Sequence, residues 1–291
     1  MTIRTRNRNA TRSSHAATRL SHLIAARSSS LSKNADINAS IITVTFRSDM
    51  TEENLQTDLA MTAEINLYYD LFVPLNLAKP APLLIAVHGY GAHKRYMMRE
   101  ARLVAPDNFV IASIQAPHPH YRKTDDGFRV GFGWLSDHKP EEYVRLHHKF
   151  VLDVIAKLVG EGMVDETRVI IYGFSQACAL NFRFAFTHPD VLAAVIGICG
   201  GIPGDLETNE IYKPFHAKTL YLYGDDDEFY TQDQFAGFNS KLENALPDFQ
   251  SKHYTAKHEI TDEMRKDIKD FLTQLNSKHL ISSKASSRGR S

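Results

Sequence analysis

Apolar positions along this chain gather into short runs separated by longer helical patterns, and the alternation persists from Leu67 to Leu275. The continuous runs Leu83-Leu-Ile-Ala-Val87 and Val191 to Cys199 are too short for packed helices and predict strands covered on both faces. Arg168-Val-Ile-Ile-Tyr172 predicts another, and Lys218-Thr-Leu-Tyr-Leu-Tyr223 alternates with the period of a strand. Ile65 to Val73, Phe109 to Gln115 and Ser251 to Ala256 complete the expected set. From Pro140 to Val159, apolar residues at Val144, Phe150, Val151, Val154, Ile155 and Leu158 have helical spacing. Ala177 to Ala185 and Thr261 to Leu275 predict two further helices. Such alternation is the mark of βαβ units, so the expected fold is α/β, with a mainly parallel central sheet and helices on both faces. His147 and His148 lie on the long helix and, without a partner at metal-ligand spacing, are expected at its surface.

A chain of 291 residues with 43% hydrophobic positions can bury a substantial core. Because the alternation is uninterrupted, one domain is expected, over residues 50–278. The first 49 residues differ in kind: no acidic residue occurs before Asp36, and arginines are scattered among serine, threonine and alanine. That composition suits an organelle transit peptide, and equally a disordered tail ahead of a true start at Met50. The expected location is therefore cytoplasmic, or mitochondrial or plastid if the leader is a transit peptide. Residues 279–291 read as a flexible basic tail. The formal net charge of zero argues against a nucleic-acid binder, and no run is long and apolar enough for an integral membrane segment. Cys178 and Cys199 read as buried thiols, with neither a disulfide framework nor a metal pattern.

Chemistry concentrates where expected strands end. Gly173-Phe174-Ser175-Gln176-Ala177 joins a buried strand to a helix, a turn that lifts a serine hydroxyl to the edge of a sheet. A serine merely capping a helix would leave the same five residues. Downstream, however, carboxylates follow the strand ending at Tyr223, in Gly224-Asp-Asp-Asp-Glu228, and His258 lies between the last strand and the last helix. Ser, Asp, His is the order of the triad in the α/β-hydrolase fold. His88-Gly89-Tyr90-Gly91 closes another strand with a glycine-rich loop, from which the N–H of Tyr90, together with that of Gln176, would hold an oxyanion.

These residues resemble the carboxylesterase and lysophospholipase group that includes the acyl-protein thioesterases. That group pairs His-Gly-x-Gly with Gly-Phe-Ser-Gln-Gly, Gly-x-x-Asp and a late loop histidine, and the likeness extends from about Leu67 to Leu275. The resemblance implies a single-domain α/β-hydrolase fold without a large lid. It implies catalysis by Ser175, His258 and Asp227, with Asp225 as the second choice of carboxylate. His88, Gly89, Trp134, Phe229 and Tyr230 would face the substrate, and no metal or cofactor is implied. Ala177 and Cys178 stand where relatives have paired glycines, and Glu228 where they often have proline. The partners expected are a small-molecule ester or acyl substrate and, as one option, a second copy in a homodimer. Beside a serine esterase, the chain leaves open a feruloyl-type esterase, a peptidase or a non-catalytic binding protein on the same fold.

Overall fold

The computed structural model describes residues 55–288. The chain divides between Thr62 and Ala63, and the architecture below is that of the unit beginning at Ala63. The whole of the expected leader lies outside the described residues, as do residues 289–291.

Seven strands form one sheet in the order β1(Tyr69–Phe72), β3(Val110–Ile114), β2(Ala81–Val87), β6(Val164–Phe174), β7(Ala194–Ile198), β8(Lys218–Gly224), β9(Phe249–Tyr254). Every neighbour is parallel except β1, which pairs antiparallel with β3, Tyr69 opposite Ile114. The alternation of side chains across a strand explains why the buried runs are continuously apolar. Leu83, Ile85 and Val87 point into one core, with residues of α2(Pro140–Gly160), α3(Gln176–Thr187) and α4(Gln232–Ala245). Leu84 and Ala86 point into the other, beneath α1(Lys94–Val104) and α5(Asp262–Arg288). Glu100 of α1, 3% exposed, accepts from Arg265 of α5 at 2.8 Å and ties those two helices together. This is the expected α/β-hydrolase architecture.

Four expectations need correction. The first strand is shorter than Ile65 to Val73, because β3 offers partners only from Ile111 to Ile114. His147 and His148 are buried, not at the surface. They sit on the apolar stripe between Val144 and Val151, at helical spacing that could have revealed it. The last helix runs beyond Leu275 to Arg288, since no glycine or proline interrupts it before Gly289, and residues 279–288 of the expected flexible tail are therefore helical. A hairpin, β4(His118–Thr124) with β5(Gly127–Gly133), forms where the sequence pattern predicts no strand. Its signal was the Asp125-Asp126 turn before Gly127, where φ is +116°, flanked by the alternating Phe128-Arg-Val130.

Candidate active site

Parallel strands deliver the ends of β2, β6 and β8 to one edge of the sheet, and the chemistry-bearing residues follow those ends. Ser175 sits between the last residue of β6 and the first of α3, with φ +59° and ψ −123°. That conformation is costly for a residue with a side chain and persists only when its surroundings impose it. Here the Ser175 N–H donates to Ile198 O of β7 at 2.8 Å. Close packing completes the constraint: a Cβ on Gly200 would lie 2.2 Å from Ser175 O, and one on Gly89 would lie 2.9 Å from the Ser175 Cβ.

His258 Nε2 is 2.8 Å from Ser175 Oγ, and His258 Nδ1 is 2.7 Å from Asp227 Oδ2. Asp227 Oδ1 accepts the N–H groups of Phe229 at 2.8 Å and Tyr230 at 3.1 Å. An acceptor-only carboxylate therefore accepts a hydrogen bond from Nδ1–H, which leaves Nε2 to accept from the serine hydroxyl. The Asp227 side chain is fully buried and that of His258 only 10% exposed. Phe174 and Phe229 pack on the imidazole with ring centroids at 4.9 and 4.7 Å. Asp225 is differently engaged: it accepts from the exposed His253 at 2.9 Å. The separation follows from backbone register, since Asp225 N bonds Tyr254 O and Asp226 N bonds Ala256 O, which turns Asp227 inward.

The glycine-rich loop is held from behind. Gly91 N donates to Phe132 O at 2.8 Å, and Phe132 N to Ala92 O at 3.1 Å, so the β5 end of the hairpin pins it. Tyr90 is 63% exposed, its ring stacked on His120 at 4.6 Å. The Gln176 N–H occupies the first helical position, where no intrahelical acceptor exists. Phe229, also largely exposed, and the half-buried Tyr230 flank His258 at the opening.

Two residues expected to face substrate are instead buried supports. His88 accepts from Ala116 N at 3.0 Å and from Gln115 Nε2 at 2.7 Å, and its other nitrogen donates to Gly89 O at 2.7 Å. Trp134, 1% exposed, donates its indole N–H to His88 O at 2.7 Å and its backbone N–H to Gln176 Oε1 at 2.9 Å. It thereby joins the loop after β2 to the start of α3. Gln115 escaped sequence reasoning because its role depends on the β2–β3 register alone. Cys178 is fully buried among backbone groups, which pushes its thiol up and keeps it protonated; burial pushes Cys199 up to about 12. Among the described residues, no group of three histidine, cysteine or acidic side chains could hold a metal.

Burial pushes His88 and His148 down to about 4 and His147 well below its ordinary value. In the unfolded chain these groups protonate near 6.5, so below that pH the unfolded state binds more protons than the folded one. Their contribution to stability is present above about pH 6.5 and is lost on acidification towards pH 4, with His88 alone costing roughly 3 kcal/mol over that window. Urea unfolding at successive pH values should show the midpoint falling steadily between pH 6.5 and 4. A flat profile across that range would contradict the burial of all three as neutral rings.

A profile of the family described as phospholipase/carboxylesterase matches residues 71–276, which include every residue just placed around Ser175. The chain belongs to this family. Among solved structures, that of esterase PE8 superposes with a TM-score of 0.59 at 18% identity, over 72% of this chain and 100% of that one. Acyl-protein thioesterase 2 of Zea mays gives 0.54 at 16% identity, over 72% and 98%. These likenesses establish the fold. NocK of Nocardia uniformis subsp. tsuyamanensis, provisionally named an esterase, is 26% identical over 157 residues, 52% of this chain. That match takes in 41% of NocK, less than half its length. No helix among the described residues is long and apolar enough to cross a membrane.

Proposed function

We propose that this protein is a serine hydrolase that cleaves carboxylic or thio esters through an acyl-enzyme. Ser175 Oγ attacks the acyl carbonyl carbon while His258 Nε2 takes its proton, and Asp227 stabilises the resulting imidazolium. The N–H groups of Tyr90 and Gln176 receive the negative charge on the former carbonyl oxygen. Collapse breaks the bond to the alcohol or thiol, which leaves with the proton from His258. A water molecule, deprotonated by the same imidazole, then releases the acid and restores Ser175.

The observation that carries this reading is the buried chain of hydrogen bonds from Asp227 through His258 to a serine held in a strained turn. A hydrolase-fold protein that only binds ligands has no need of that combination. Phe229 and Tyr230 make an aromatic opening suited to an apolar or aromatic acyl group, whereas Trp134 acts from behind.

The test is kcat/KM against pH for wild type, His253→Ala and His258→Ala, using p-nitrophenyl esters graded by chain length beside a thioester and a lysophospholipid. Turnover of one of these classes is expected, with an acid limb set by the imidazole base. His258→Ala should lose almost all activity. His253→Ala should stay within about twofold of wild type, since an exposed side-chain pair contributes little. A His258→Ala enzyme retaining near-normal rates and the same acid limb would overturn the assignment.

A further inference from the structure

The reaction described above leaves Glu228 without a task, yet its position is unusual. Its side chain lies in solvent directly after the buried Asp227, and Oε2 accepts the backbone N–H of His258 at 3.0 Å, across 30 residues of chain. The loop that carries His258 is otherwise fixed on either side of that residue. Asp226 N holds Ala256 O at 3.0 Å, and Cys199 Sγ approaches Glu259 O at 3.6 Å. The backbone of the histidine itself is held by Glu228.

Two consecutive carboxylates thus grip one histidine, Asp227 by its ring and Glu228 by its main chain. A hydrogen bond from a neutral N–H to an ionised carboxylate is stronger than one between neutral groups. The Glu228 carboxyl is accordingly held below its ordinary value, foremost by that N–H, next by its own backbone N–H, and in lesser degree by the nearby His258 ring and Lys257. Around the imidazole, the other facing groups are Ser175 Oγ and the rings of Phe174, Phe229 and Tyr230. The ionisable neighbours along its loop are Lys257 and Glu259, with Asp226 on the loop opposite and the neutral thiol of Cys199 below.

We propose that Glu228 is a positioning residue: its carboxylate anchors the main chain of His258, and its charge favours the imidazolium that forms as Ser175 loses its proton. This rests on the serine-hydrolase reading and extends it to a group that never meets the substrate. Glutamine at this position keeps an acceptor for the N–H but not the charge, and alanine keeps neither. The two effects therefore separate.

The experiment compares wild type, Glu228→Gln and Glu228→Ala in pH profiles of kcat and kcat/KM, at low and high salt. Both substitutions are at a solvent-exposed side chain, and circular dichroism verifies that the variants remain folded. Glu228→Ala should lower kcat about tenfold with KM little changed, the loss expected for a hydrogen bond to a charged group. Glu228→Gln should recover most of that kcat. In both, the acid limb should move to lower pH, because imidazolium loses a stabilising anion, and the displacement should shrink at high salt. Wild-type kcat and an unmoved acid limb in Glu228→Ala would overturn the proposal. So would a Glu228→Gln enzyme as impaired as Glu228→Ala with its acid limb in place. Fluorophosphonate labelling of wild-type Ser175 separates the two levels of inference. Labelling with unaffected Glu228 variants removes the role of Glu228 alone, whereas wild type that neither labels nor turns over an ester removes the hydrolase reading.

Discussion

Ser175→Ala should lower kcat by about 10⁶-fold, the scale on which removal of a nucleophile acts when a triad works as a unit. The folded state should be nearly unchanged, because alanine can occupy the same turn and only the hydroxyl contact to His258 is lost. Thermal unfolding should accordingly shift by no more than a few degrees, about what a single hydrogen bond contributes. A fluorophosphonate should label wild type at Ser175 and leave the variant unlabelled. Retained labelling in Ser175→Ala would exclude this serine as nucleophile. Loss of activity in Cys178→Ala with Ser175→Ala unaffected would point instead to the thiol, against its burial and its raised pKa.

The second large effect concerns the carboxylate. Asp227→Asn should reduce kcat about 10⁴-fold, since an amide cannot serve as acceptor on both of its atoms. One Asp227 oxygen already receives the N–H groups of Phe229 and Tyr230, so the asparagine oxygen would take that side. Its NH₂ would then face His258 Nδ1 and favour the tautomer that places the ring proton on Nε2, where it can no longer accept from Ser175. Asp225→Asn should change kcat less than twofold or so, because its partner His253 is exposed and takes no part in the hydrogen-bond chain from Asp227 through His258 to Ser175. Kinetics of the two variants side by side decide the matter. A larger loss in Asp225→Asn than in Asp227→Asn would show the carboxylate to be misplaced.

In sequence, Asp225 and Asp227 could be ranked only by resemblance to a family. What separates them is the register between β8 and β9: hydrogen bonds to Tyr254 O and Ala256 O turn one carboxylate outward and the next but one inward. Trp134 illustrates the same limit. An aromatic residue near a glycine-rich motif suits a binding wall, but its indole N–H found a buried carbonyl and its ring packed at 5.1 Å against His147. The hairpin β4–β5 is obscure in sequence because β4 is polar and includes Pro119, while β5 alternates its apolar residues with glycine and arginine, so that neither has the continuous apolar run that marks a core strand.

Local order was carried by the chain itself: the buried parallel strands through continuous apolar runs, most helix faces through their spacing, and the order Ser175, Asp227, His258 through motifs at strand ends. These features depend on neighbours in sequence, where periodicity and turn chemistry act directly. Only tertiary structure decided which aspartate meets His258, that His88 and Trp134 support the site from behind, and that Glu228 reaches the histidine backbone. Each of those outcomes depends on the pairing of distant segments, and a shift of one residue in register would redirect every side chain involved.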